Sequence, residues 1–289
     1  MLTVIKKIGL LENDPQLDFK KRVCDFLKLE PVSNLEDADL IDLSSLSFEK
    51  NDSLKVTEWA KIKKILVAPA AAAKLPLGNI KEENIYVSFP LRAWALPKKI
   101  LKMKCDDICG ELTSLRITWT RPKKESSNEH EFLYNTLAGL IDIAGLIAET
   151  PLEQLYVEKV KGENNLFALA MFEGEIALEI EANESLPDSM EGTHFIKANF
   201  TDGIITNVPL AGHFNAEGSI YATDEKVSRL LIENGEWDGG DEIQNTYWQM
   251  LLSIKDGSYP SGLLDSIKIF KAINETLKTS MPVNLGEQK

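Results

Sequence analysis

Residues 132–151 read FLYNTLAGLIDIAGLIAETP, and the organisation of the whole chain can be worked out from this stretch. Leu133, Leu137, Leu140, Ile141, Ala144, Ile147 and Ala148 recur at helical spacing along one side of a 3.6-residue turn. Gly139 and Gly145 would each cost about 1 kcal/mol in an ordinary helix interior. They therefore point to a helix packed tightly against another element. The helix is expected to stop at Thr150-Pro151, because proline has no N–H to donate. One acid, Asp142, stands among the apolar residues. It is either a structural hydrogen-bond acceptor or the remnant of a site.

Upstream of this helix, short apolar runs alternate with helical ones. Val4–Leu11, Ala38–Leu43, Lys64–Val67 and Asn84–Phe89 read as strands. Asp14-Pro15 opens a helix over Leu17–Leu29 with apolar positions at Phe19, Val23, Phe26 and Leu27. Leu54–Lys63 and Pro97–Lys104 read as further helices, and Ala70–Ala73 as a short one closed by Pro76 and Gly78. Such alternation implies a parallel sheet covered by helices. From Gly110 the pattern changes to closely spaced strands: Glu111–Thr120, then Leu155–Val160, Leu166–Phe172, Glu175–Ala182, His194–Phe200, Gly203–Val208 and Ser219–Thr223. Helices over Asp241–Ile254 and Leu263–Thr279 follow. The expected architecture is an α/β domain over 1–110 and an α+β domain over 111–289. The first has a reduced Rossmann-like parallel sheet; the second has an open-faced, largely antiparallel sheet with packed helices.

Composition narrows the function. The 289 residues carry 45 Asp and Glu against 32 Lys and Arg, a formal net charge of −13. That surface repels phosphate backbones and anionic lipid, which argues against nucleic-acid and membrane partners. No apolar run approaches the roughly 18 residues of a membrane span. The opening MLTVIKKIGLLEND reads as a first strand, not a signal peptide. Cys24, Cys105 and Cys109 form no framework and suit reduced thiols in the cytoplasm. No His lies near Cys105 and Cys109 to suggest zinc. The chain contains neither a G-x-S-x-G elbow nor a P-loop, and Glu233–Asp241 lacks calcium-loop ligand spacing. His130 falls in a polar loop and His194 in a strand; His213, in LAGHFNAEG, is the histidine best placed to border a pocket.

The order of landmarks resembles the Gfo/Idh/MocA family of glucose–fructose oxidoreductase and inositol dehydrogenase. KILVAPAA (64–71) is similar to the family strand that ends in Glu-Lys-Pro, and NIYVSFPLRAWALP (84–97) to the next strand, with Arg92 at its usual arginine. CGELTSLRITW (109–119) resembles the start of the second domain, GLIDIAGLIAETP (139–151) the His-x-x-Asp helix, and Trp248–Val283 the closing helices. The resemblance implies NAD(P)-dependent hydride transfer on a sugar or polyol, with Lys and His handling the proton. It also implies packing of the open sheet against other subunits.

The departures from the family are specific. Where a G-x-G-x-x-G turn would hold pyrophosphate, the chain reads IGLLENDPQLD, with Gly9 alone and Glu12, Asn13 and Asp14 in the turn. The region between Leu29 and Ala38 offers no second strand ending in a ribose-binding acid, so the first domain looks one βα unit short. Aligned on the family, Ala68 replaces the catalytic Lys and Gly139 the His; only Asp142 is kept. Lys74 is more simply read as a solvated turn residue than as a substitute base. The expectation is a pseudoenzyme with no bound cofactor that binds a sugar-like ligand through Arg92, Trp94 and His213. Arg116 and Trp119 are further candidates beside these, Trp94 and Trp119 fit equally well as core or sheet-packing residues, and Ser114, Arg116 and Thr118 are candidates for an oligomer interface. It would assemble as a homodimer or homotetramer through the C-terminal sheet, or with an active paralogue. A working NAD(P)-dependent oxidoreductase with an atypical cofactor loop is the alternative, and a purely structural subunit a third.

Overall fold

The computed structural model describes residues 5–45, 56–75, 81–106, 109–122, 132–161, 164–187, 189–190, 192–208, 219–223, 227–231 and 242–286. Contacts group the chain into two compact units: Met1–Ala93 with Ile243–Phe270, and Trp94–Glu242 with Lys271–Lys289. The units are therefore not contiguous in sequence, in contrast to a division at 110. The hydrogen bond from Tyr247 to Asp42 shows why, since it ties a helix near the C-terminus into the first sheet.

In the first unit five parallel strands lie in the order β2-β1-β3-β4-β5: β1 Lys7–Leu10, β2 Glu30–Val32, β3 Leu40–Leu43, β4 Lys64–Val67 and β5 Ile85–Val87. The runs LIDL, KILV and IYV are almost wholly buried, as strands of a parallel sheet are. Helices α1 (Leu17–Leu27) and α4 (Glu242–Lys255) share one core with the sheet, built from Ile8, Leu10, Val23, Leu27, Leu40, Met250 and Ile254. β2 fills the interval in which no strand was expected, pairing parallel to β1. It escaped notice because Glu30-Pro31-Val32 is exposed or half-buried and carries no apolar run. What is missing is the helix after it. A single 3₁₀ turn over Leu35–Asp37, capped by Asn34, leads directly into β3.

The buried side of α1 also differs from expectation. Val23 and Leu27 are buried, but Phe26 is 69% exposed, and Lys20 and Cys24 face inward instead. Phe26 packs edge-on against Trp248 (centroids 5.4 Å apart), while Lys20 finds carboxylates inside.

The second unit is a nine-stranded sheet in the order β13-β12-β11-β10-β6-β9-β8-β7-β14. Its strands are β6 Leu112–Pro122, β7 Leu152–Lys159, β8 Asn165–Phe172, β9 Ile176–Leu186, β10 Thr193–Phe200, β11 Ile204–Thr206, β12 Ser219–Thr223, β13 Val227–Leu231 and β14 Val283–Asn284. All neighbours are antiparallel except β6 with β9. Alternation sets the faces: Leu115, Ile117 and Trp119 point inward with Leu178, Ile180 and Ala182, and Ser114, Arg116 and Thr118 point outward.

The stretch 132–151 forms a π-helical segment over Phe132–Leu137 and then α3, Ala138–Ala148. α3 packs on β6, β9 and α2 (Ala95–Cys105). It ends on Glu149 in the left-handed region (φ 60°), and Lys104 of α2 donates to the free carbonyls of Ile147 (2.9 Å) and Ala148 (3.1 Å). Close packing does not explain Gly145, since an added Cβ would meet Phe172 at 3.7 Å, an ordinary contact. Helix α5, Leu263–Thr279, precedes β14. No described helix is long and apolar enough to cross a membrane.

Candidate functional site

In an open parallel sheet, ligands bind beyond the carboxyl ends of the strands where the strand order reverses. Here that point lies between β1 and β3, past Leu10 and Leu43. It is filled by side chains of the chain itself. The Lys20 ammonium is fully buried, 2.8 Å from Asp14 Oδ2 and 3.0 Å from Asp42 Oδ1, and it donates to Ser44 Oγ at 3.2 Å. Asp14 also accepts from the Gln16 N–H (2.7 Å) and, through both oxygens, from the Ser45 hydroxyl (2.9 Å each). Asp42 accepts from the Ser44 N–H (2.8 Å), the Ser44 hydroxyl (2.6 Å) and the Tyr247 hydroxyl.

The local sequence explains how these groups converge. In β3, Asp42 follows Leu40 on the same sheet face by the period of two, under α1 and α4. Lys20 precedes Val23, Cys24 and Leu27 by three, four and seven residues, so it shares their buried helical side. Burial alone would raise the Asp42 pKa. The Lys20 ammonium and the hydrogen bonds from Ser44 and Tyr247 outweigh it and hold the carboxyl below its usual range. Burial, then the Asp42 carboxylate, pushes the Tyr247 hydroxyl well above its ordinary value. Burial, then Asp42 and Asp25, pushes the Cys24 thiol up to about 12, so it is no nucleophile near neutrality. Gly9 is explained by packing. A Cβ there would lie 2.9 Å from Leu35 Cδ2 and 3.0 Å from Ala38 Cβ.

Ala68 is buried and precedes the single helical turn Pro69–Ala72 after β4. Gly139 and Asp142 lie on the buried side of α3 in the second unit. Arg92 belongs to the first unit. Its guanidinium stacks over Phe89 (5.0 Å) and Tyr259 (5.4 Å), and Gly262, at φ +67°, leaves room beside it, since a Cβ there would lie 3.1 Å from Nη2. Trp94 belongs to the second unit. It meets Trp119 edge-on (6.0 Å, 87°) and His194 edge-on (6.2 Å, 82°), while Trp119 and His194 stack at 3.6 Å across the β6–β10 pair. The indole N–H groups of Trp94 and Trp119 are buried and have no hydrogen-bond partner among the described residues. Arg116 points to the opposite sheet face, where it pairs with Glu179 at 3.1 Å, so it cannot line a surface with Trp119. His130 and His213 lie outside the described residues.

Sequence reading passed over Lys20, Asp42, Ser44, Ser45 and Tyr247. A signal for two of them was present: a lysine in the apolar register of α1, and an acid between Ile41 and Leu43 in the apolar run of β3. Two charges at buried positions are costly unless they meet.

No family model matches the sequence, and no curated protein is significantly similar to it. Solved structures share its fold over nearly the full length. An oxidoreductase from Agrobacterium radiobacter, in complex with NAD+, L-tartaric acid and magnesium, matches with a TM-score of 0.69 at 13% identity, covering 99% of this chain and 100% of that one. Levoglucosan dehydrogenase, in complex with NADH and levoglucosan, matches with a TM-score of 0.68 at 13% identity, over 99% of this chain and 93% of that one. A super-repressor mutant of Gal80p from Saccharomyces cerevisiae matches with a TM-score of 0.67 at 12% identity, over 99% of each chain.

Proposed function

We propose that this chain, which has the fold of the Gfo/Idh/MocA-type oxidoreductases, no longer binds NAD(P) or transfers hydride, and acts as a binder of a sugar-type ligand or as a partner subunit. The observation that carries this reading is the buried Asp14–Lys20–Asp42 cluster at the β1–β3 strand ends. The residues there do not fit a pyrophosphate. With two carboxylates to one ammonium, the cluster is net negative. At about 5 Å and an effective dielectric constant near 20, each extra pair of like charges costs roughly 3 kcal/mol. The proton-handling positions argue the same way, since neither Ala68 nor Gly139 has a titratable side chain. That a repressor protein also has this fold is consistent with a role outside catalysis.

The ligand-binding part of the proposal rests on Trp94, Trp119 and His194. Two buried donors without partners among the described residues each leave a cost of about 1–3 kcal/mol that an acceptor on a ligand would remove. For assembly, the outward face of the second sheet presents Leu169 (45% exposed) beside the half-buried Phe167 and Met171. A homodimer or homotetramer would cover this face, or an active paralogue would dock there. Light scattering separates these from a lone monomer. Free Cys24, Cys105 and Cys109 suit the reducing cytoplasm.

NAD+, NADH, NADP+ and NADPH titrated against the protein, followed by tryptophan fluorescence, test the main reading. No saturation up to millimolar nucleotide is expected; saturation at micromolar levels would reject it. The second reading is an active NAD(P)-dependent oxidoreductase on a sugar or polyol. It is favoured by the retained Asp142 and by structural neighbours solved with NAD+ and NADH.

A further inference from the structure

The Asp14 carboxylate is held as a bound oxyanion would be. A backbone N–H (Gln16, 2.7 Å), an ammonium (Lys20, 2.8 Å) and a hydroxyl (Ser45, 2.9 Å to each oxygen) converge on its two oxygens. These are the three donor types from which proteins build oxyanion sites. The set is closed to water, because Lys20 is wholly buried and Asp14 is 5% exposed. The occupant is tethered through a single methylene to the turn between β1 and α1.

We infer that this is an oxyanion seat held shut by its own Asp14 side chain, and that it accepts a small free monocarboxylate once the tether is cut. This rests on the reading that the strand ends are self-occupied. The charge of the ligand follows from the surroundings. With Asp14 removed, Lys20 keeps Asp42 at 3.0 Å as its counter-ion, so a free monoanion restores the native charge balance. A phosphate dianion would add a second negative charge beside Asp42 and is disfavoured. Asp14→Ala deletes only the carboxylate group and leaves a space of the size of formate. Asp14→Asn refills that space with a neutral group of the same shape, and so serves as the blocked control.

Calorimetric titration of formate, with chloride at matched ionic strength as the reference, tests the inference on three full-length proteins. Asp14→Ala is expected to bind formate. At ten times the dissociation constant its folding equilibrium constant should rise about tenfold, read from urea denaturation. The wild type and Asp14→Asn are expected to show neither effect. Should Asp14→Ala fail to fold in chloride, recovery on refolding in formate supports the inference, and equal failure in both salts overturns it. No response of a folded Asp14→Ala also overturns it. A parallel NADH titration of the wild type separates the two claims. NADH binding there removes the self-occupied reading altogether. Absence of NADH binding together with an unresponsive variant removes only the oxyanion seat.

Discussion

Lys20 and Asp42 form a fully buried ion pair, 3.0 Å between Nζ and Oδ1, that joins α1 to the carboxyl-terminal end of β3. Asp14, Ser44 and Tyr247 complete its hydrogen bonding. A pair so deeply desolvated is a weak source of net stability but a costly one to break, because the partner left behind keeps an uncompensated charge.

Lys20→Met should therefore destabilise the protein by about 3–5 kcal/mol, with two carboxylates left facing each other. Replacing Asp14, Lys20 and Asp42 together with apolar residues of similar volume should recover most of that loss. Urea denaturation of the two variants checks both, and a single variant as stable as the wild type would contradict the geometry.

Stability should depend on pH at both ends. Asp42 has a depressed pKa in the folded protein, so its contribution is present above its unfolded value of 3.8 and is lost as pH falls through the lower folded value. Cys24 has a raised pKa, so its contribution is complete below the unfolded value of 9.0 and declines as pH rises toward about 12; Tyr247 acts in the same direction from 10.0 upward. The expected profile is a plateau between about pH 5 and 9 with a fall on either side. Cys24→Ala should make the alkaline fall shallower, as measured by thermal denaturation across buffers.

Thiol chemistry should distinguish the three cysteines. Cys105 is exposed, whereas Cys24 and Cys109 are buried. Ellman's reagent should titrate one thiol rapidly in the native protein and all three in denaturant. Cys105→Ser should abolish the fast phase; a fast phase that survives would show Cys24 or Cys109 to be accessible.

Trp94→Phe and Trp119→Phe remove an indole donor that has no partner among the described residues while keeping an aromatic ring. Relief of the unpartnered donor and loss of buried ring volume oppose each other, so each should change stability by no more than about 1 kcal/mol net, far less than the loss of a satisfied buried hydrogen bond network. Their effect should instead appear in sugar binding measured by calorimetry. A large stability loss with unchanged binding would place both residues purely in the core.

Much of the fold was legible because apolar runs report burial directly. KILV at 64–67 and the helix at 263–279 form where their patterns place them, and the change at residue 110 does mark the start of an antiparallel-rich sheet. β2 was not legible, since Glu30-Pro31-Val32 gains its strand conformation from pairing with β1 and not from its own apolar content. The strand-end cluster was missed for a different reason. Charged residues are ordinarily assigned to the surface, and only the fold reveals that Lys20 and Asp42 compensate each other inside. Tyr247, far away in sequence, could be joined to them only in three dimensions.

The β1 and β3 strand ends are already occupied by the chain's own charges. A crystal structure determined in millimolar NADH tests it most directly. The prediction is an intact Asp14–Lys20–Asp42 cluster with no nucleotide at the start of α1. A pyrophosphate seated between β1 and β3, with Lys20 turned away from Asp14, would contradict it.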